Sequence, residues 1–429
     1  MSVIVVTGVV ALADAQIARA LGQAAGVRLA RRCPDLADVL SVVEAGRADA
    51  VVLSADLPGL DRSAIARIRA AGAAIVGLYA PGDERAQRVL LQWGVAACLP
   101  DSASADDLRQ AVQSEAAGAT PEERADADEA AGASRLPAAL DDEPAEPEGR
   151  IVTVWGPVGA PGRTTVAVNL AVELALSGVR SLLIDADTYG ASVAQYVALL
   201  DEAPGIAAAT RLADAGHLDL HTLASAAPEV VPGMRVLTGL PRADRWPELR
   251  EAAFEEVLVQ SRRLAQVTVI DVSAPLEDDE ELSYDTLAPR RNAITLAALR
   301  AASTVLAVGS ADPIGLQRLV RGLEELRPRI EATPRVVVTK VRASAVGATP
   351  EHKVAEALER FAGVDDVTII PDDRDALDRA LLSGRLLAES APNSPIREAL
   401  AKLGADLGGV DFPSRRGRRT WRRMVGGSP

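Results

Sequence analysis

The chain has 429 residues, too many for one ordinary domain and enough for about three units at roughly 150 residues each. Hydrophobic residues make up 48% and aromatics only 3%, so the cores are built from Ala, Val, Leu and Ile, and the hydrophobic share is ample for burial. A net charge of −14 argues against a chain that coats nucleic acid along its whole surface, which takes clustered Lys and Arg, and leaves room only for a local basic patch.

The N-terminus, MSVIVVTG, has no basic leader and no long apolar run. No stretch approaches about 18 uninterrupted apolar residues, so neither a signal peptide nor a spanning helix is expected and the chain reads as cytoplasmic. Residues 1–114 alternate apolar runs with amphipathic stretches. Strands are predicted at Ser2–Thr7, Val27–Ala30, Ala50–Leu53, Ala74–Leu78 and Ala96–Leu99. Helices are predicted at Asp14–Ala24, Asp35–Ala45, Asp61–Ala71, Asp83–Trp93 and Ala105–Ser114, several behind a capping Asp or Ser. Five β/α units imply a parallel sheet with helices on both faces. Cys33 and Cys98 have no metal spacing and cannot make a disulfide framework, so they read as reduced thiols.

Residues 115–149 are Ala, Glu, Asp and Pro with only Arg124 and Arg135 positive. Such a segment cannot bury enough apolar surface to offset its ordering entropy and reads as a disordered acidic linker. From Arg150 the alternation resumes to about residue 410, with strands at Ile151–Trp155, Ser181–Asp185, Arg235–Thr238, Val267–Asp271, Thr304–Val308, Arg335–Thr339 and Val367–Ile370. Residues 411–429 form a basic tail with Arg415, Arg416, Arg418, Arg419, Arg422 and Arg423 around Trp421.

The most specific feature is the segment from Trp155 to Thr165, WGPVGAPGRTT. It follows a strand and opens a predicted helix, Thr164–Leu176, the context of a phosphate-binding loop. Small residues let the backbone wrap a triphosphate, and the helix start offers free N–H groups and a positive dipole end. Thr164 stands where a hydroxyl ligates Mg²⁺ in G-x-x-x-x-G-K-[ST]. Pro157 occupies the first Gly position and Arg163 the Lys position, and a planar guanidinium does not replace a compact ammonium one for one. Pro161 removes a backbone donor. Asp185 and Asp187 end one predicted strand and Asp271 another, the place where an open α/β sheet puts its ligand. Asp271 would anchor the metal shell, and an acid nearby would position water.

These residues resemble the ParA/MinD deviant-Walker ATPases over about residues 150–407. Gly159, Ala160, Pro161, Gly162, Arg163, Thr164 and Thr165 look like the second half of that family's phosphate loop, with Asn169 and Leu170 in the usual place on the following helix. Asp185 and Asp187 resemble the switch I acids, with Asp187 at the position implicated in activating water; Asp271 resembles the Walker B acid. Thr339 and Pro371 fall where the family has its adenine-side strand ends, Thr339 in place of the usual Asn. The resemblance implies a P-loop NTPase doubly wound parallel sheet, ATP and Mg²⁺ as ligands, and an ATP-dependent homodimer. It assigns catalytic roles to Asp187 and Arg163, nucleotide contacts to Gly159 through Thr165 with Thr339 and Pro371, and metal contacts to Thr164, Asp271 and Asp185. The family's signature Lys belongs at Val158, and with Arg163 at the other position neither loop Lys remains, so slow turnover is expected. Arg290 or Arg291, after the acidic stretch 277–282, is a candidate to supply the missing charge as an arginine finger does.

The front unit resembles a response-regulator receiver, a flavodoxin-like fold, without its chemistry. The acceptor position before Pro58 is Ser54, the acidic pair after the first strand is Thr7 and Gly8, and the expected Lys is Asp101. Asp56 is a weaker, shifted acceptor candidate, and without carboxylates there is no Mg²⁺ site. A pseudo-receiver over 1–114 would dock a protein partner. This order of parts resembles the CpaE/TadZ proteins of Flp/Tad pilus assembly and actinobacterial septum-site-determining relatives. In the tail, Trp421, Met424 and Val425 fall on one helical stripe beside Arg422 and Arg423, a pattern suited to an anionic membrane surface over 415–427 as well as to a solvated basic end. Two other readings stay open: a non-hydrolysing scaffold with a degenerate site, and a DNA-partitioning ATPase, against which the negative charge balance argues.

Overall fold

The computed structural model describes residues 2–9, 11–117, 148–199, 203–278 and 290–410. The acidic linker and the basic tail predicted above lie outside the described residues, apart from the edges of the former.

Two compact units make up the chain. In the first, strands β1 (Val3–Gly8), β2 (Val27–Arg32), β3 (Ala50–Ser54), β4 (Ala74–Tyr79) and β5 (Ala97–Pro100) form a parallel sheet of order β2-β1-β3-β4-β5. That is the flavodoxin-like order. The helices start where short polar side chains cap them: Asp35, Asp61 and Asp83 each accept from the backbone N–H three residues on, at 2.9 Å, satisfying a donor that a helix start otherwise leaves orphaned. The last helix runs to Ala117, three residues into the stretch assigned to the linker, because its alanines continue the helix after the last buried position, Val112.

The second unit holds one eight-stranded sheet of order β13-β12-β11-β6-β10-β7-β9-β8. Its strands are β6 (Arg150–Trp155), β7 (Ser181–Ala186), β8 (Glu229–Val231), β9 (Met234–Leu237), β10 (Val267–Val272), β11 (Thr304–Ser310), β12 (Arg335–Val341) and β13 (Val367–Pro371). All neighbours are parallel except β8, which runs antiparallel to β9. The sheet is therefore mixed at one edge, not purely parallel as expected. β8 escapes a sequence reading because three residues are too few to show a period of two.

Central strands β6, β7 and β10 are buried on both faces, as parallel strands between helical layers must be. The core gathers Val152, Val154, Val269, Leu183 and Leu306 around the helix Arg163–Leu176. Residues 166–175 of that helix are all buried, so it is enclosed by the sheet on one side and by the helix Pro395–Gly408 on the other. Its one buried charge, Glu173, is met by Arg397 at 2.7 Å, the pairing a buried carboxylate needs.

Candidate functional site

The site is built where β6 ends. Residues 156–162 leave the strand and turn into the helix Arg163–Leu176, with Gly159 at φ +76° and Gly162 at φ +111°. Both lie in the left-handed region, where a side chain is strained. Space reinforces the demand. A Cβ at Gly156 would strike the Val308 carbonyl, one at Gly159 the Arg318 guanidinium, and one at Gly162 would stand 3.0 Å from Thr339 Oγ1. The loop is thus pinned between β11, β12 and the helix Pro313–Leu326, its backbone free to face a ligand.

Thr339 is the brace. Its hydroxyl faces the carbonyls of Pro161 at 2.9 Å and Gly309 at 3.1 Å, and donates to that pair. The side chain expected on the adenine side therefore holds the loop from beneath. It does so from the irregular end of β12, where the register with β13 shifts between Val338 and Val341 and Lys340 takes φ +57°. Pro371 pairs with Val341 on the outer side of β12, and no hydrogen bond or ion pair among the described residues ties it to the loop.

Six of the predicted residues converge. Asp185 and Asp271 are register partners on adjacent strands β7 and β10, both almost fully buried. Asp185 is occupied by its own backbone: Oδ2 accepts from Ser192 N and Val193 N at 2.9 Å each, and Oδ1 from Asp187 N at 3.3 Å. It anchors the segment after β7 and does not stand open to a metal. Asp187 Oδ1 accepts from Tyr189 N at 2.8 Å and Gly190 N at 3.0 Å, which leaves Oδ2, 3.7 Å from Arg163 Nη2. Arg163 turns back over the loop, Nη1 donating to Gly156 O at 2.9 Å. Ser192 Oγ lies 3.4 Å from Thr164 Oγ1, and Thr165 Oγ1 meets the Tyr196 hydroxyl at 2.9 Å. The segment 187–196 is thereby laid against the start of the loop helix.

Asp271 differs from the other two acids. Both of its carboxylate oxygens are buried with no hydrogen-bond partner. Burial first, and then the neighbouring Asp185, push its pKa up to about 8; the nearby Thr164 hydroxyl and Arg163 guanidinium oppose the shift only in part. Burial likewise raises Asp185 to about 7, against the pull of the backbone N–H groups it accepts. An orphaned buried carboxylate beside a loop threonine fits a divalent cation. No cluster of three or more His, Cys, Asp or Glu able to hold a metal occurs among the described residues, so a cation here would draw further oxygens from Thr164 and a bound phosphate, the habit of Mg²⁺.

The two arginine-finger candidates are both engaged. Arg290 pairs with Glu251 at 2.8 Å and Asp278 at 2.7 Å. Arg291 lies over the Tyr189 ring, 3.7 Å from its centroid, and donates to Thr188 O at 3.3 Å. Tyr189 in turn donates to Asn292 Oδ1 at 3.0 Å. These links between the segments after β7 and before helix Ala293–Arg300 carry no sequence motif and were missed for that reason.

The segment that carries the glycine loop, the strand-end acids and most of this sheet matches one family model. The CobQ/CobB/MinD/ParA nucleotide binding domain matches residues 152–387, more than half of the chain. The chain belongs to that family. An uncharacterized ATP-binding protein of Methanocaldococcus jannaschii is 24% identical over 264 residues, 59% of this chain and 86% of the relative. A ParA family ATPase of Chlorobium tepidum superposes with a TM-score of 0.50 at 16% identity, over 59% of this chain and 98% of its own. The septum site-determining protein MinD of Pyrococcus horikoshii, solved with Mg-ADP, gives 0.47 at 19% identity over 60% and 96%. At 16% identity the Chlorobium structure speaks for the fold alone.

Proposed function

We propose that the chain is an ATP-binding switch of the MinD/ParA kind, whose self-association or docking changes with the nucleotide. The observation that carries this is Asp271, an unpartnered buried carboxylate beside Thr164 at the mouth of a glycine loop. The N–H groups at the start of the helix Arg163–Leu176 would hold phosphate oxygens, with the loop glycines keeping side chains out of the way. Mg²⁺, when bound, would neutralise charge on those oxygens; Thr164 and Asp271 are the residues to hold it. Asp187, whose Oδ2 is not bound by its own turn and lies 3.7 Å from Arg163 Nη2, would orient water.

Turnover is expected to be slow. Val158 is apolar and 67% exposed where a lysine would serve, and Arg163 is already held by Gly156 O and Asp187. The same observation favours a second reading, a nucleotide-binding scaffold that does not hydrolyse. Light scattering of the full chain without nucleotide, with Mg-ADP and with Mg-ATP tests the switch. A dimer formed only with Mg-ATP is expected, and an unchanged mass in all three would contradict it.

The finer reading is placement of a pilus assembly or of a septum. It is supported by the front unit, which keeps the receiver strand order while Thr7 and Ser54 are buried where carboxylates would stand. We read residues 1–114 as a pseudo-receiver that docks a protein partner, and residues 415–427 as a contact for anionic membrane. Flotation with phosphatidylglycerol vesicles, comparing the full chain with one ending at Pro413, tests the last point; equal flotation would contradict it.

A further inference from the structure

The loop holds too little positive charge for the ligand assigned to it. Two carboxylates, Asp187 and Asp271, lie near one guanidinium, Arg163, which is turned back onto Gly156 O and Asp187. Val158 offers no charge. A nucleoside triphosphate brings several negative charges, and phosphoryl binding sites answer them with Lys or Arg as well as metal.

The helix Pro313–Leu326 brings a second cation to the loop from outside. It follows β11, the strand next to β6, so its first turns run beside the segment that leaves β6. Ile314, Arg318 and Gly322 are spaced at i, i+4 and i+8 and share one face. Gly322 fixes that face against the loop: a Cβ there would stand 3.0 Å from Pro157 Cβ and 3.1 Å from Trp155 Cη2. One turn nearer the helix start, the Arg318 guanidinium occupies the space a Gly159 side chain would need, and Gly159 is held left-handed. Arg318 is exposed and makes no hydrogen bond or ion pair with any described residue. Asp312 fixes the start of this helix by accepting from Gly315 N at 3.0 Å. An unpaired guanidinium lying on the rim of an anion-binding loop has the fork geometry that suits phosphate.

We infer that Arg318 is a nucleotide-binding residue that supplies the charge missing at Val158, its guanidinium engaging the outermost phosphate of a nucleoside triphosphate held in the same chain's loop. This rests on the nucleotide reading above. It makes Arg318 a discriminator: a contact to the outermost phosphate favours ATP over ADP, whereas a merely structural prop for Gly159 would serve both alike.

Calorimetry on the full chain with Mg-ATP and Mg-ADP separates these. Arg318→Ala is expected to weaken ATP about 10-fold or more, the usual weight of a charge-assisted contact, and ADP less than about 2-fold on the same scale. Arg318→Lys should recover part of the ATP affinity, and the melting temperature of nucleotide-free Arg318→Ala should equal that of wild type. Equal losses for ATP and ADP, or no loss for either, overturn the assignment of Arg318 while leaving the nucleotide reading intact. Thr164→Ala serves as the control for that reading, and wild type that binds neither nucleotide at millimolar concentration overturns both.

Discussion

Asp271 shows how one side chain states what the loop lacks. Its carboxyl sits above the ordinary value near 4, so between about pH 4 and pH 8 the folded chain keeps a proton that the unfolded chain releases. Stability contributed by this group is present in acid and is lost as pH rises toward 8. Mg-nucleotide needs the ionised form, so its affinity should move the other way, tightening from pH 6 to 8. The check is to subtract the Asp271→Asn profile from wild type in both melting and calorimetry; flat differences would contradict the account. Asp271→Asn itself should raise the melting temperature of the nucleotide-free chain, since it removes a buried unpaired acid, and should abolish the dependence of nucleotide binding on Mg²⁺. Asp271, Asp185 and Asp187 were legible in the sequence because each ends an apolar run, and strand ends are where ligands lie. That Asp185 would be taken up by Ser192 and Val193 was not, nor that Thr339 would brace Pro161, because both depend on how loops return to the sheet.

At the scale of elements, the helix Arg163–Leu176 carries both the site and the core. Gly162→Ala would force a β-carbon into the left-handed region against Thr339, costing about 1–2 kcal/mol from backbone strain alone and loosening the loop. Chemical denaturation should show a lower midpoint and calorimetry a weaker Mg-ATP; an unchanged midpoint would contradict the described turn. At the far end, Arg397→Ala breaks the buried pair with Glu173 from one side, which costs about 3–5 kcal/mol. The double variant Glu173→Leu, Arg397→Met should recover most of it. Most elements could be read in advance, since Asp35, Asp61 and Asp83 announce helix starts and the Val/Ile/Leu runs announce buried strands. β8 could not, being three residues of an edge hairpin whose only signal is the turn at Gly233 (φ +85°).

For the whole molecule, two α/β units of different sheet order share one chain, and the sequence pattern distinguishes them by chemistry more than by fold. The front unit has the receiver order yet presents Thr7 and Ser54 at the strand ends, while Asp56 is exposed in the turn beyond β3. Incubation with acetyl phosphate and Mg²⁺ should therefore leave no acyl phosphate on residues 1–114, as read by intact mass; a stable adduct at Asp56 would contradict the pseudo-receiver reading. The strand order of each sheet was beyond the sequence, because alternation gives the number of β/α units and not which edge each strand joins. The central claim is that the glycine loop still holds a nucleotide despite Val158 and Arg163. Its most direct test is Mg-ATP calorimetry on the full chain beside Thr164→Ala. Micromolar binding in wild type, lost in the variant, is predicted; no heat at millimolar nucleotide in wild type would contradict it.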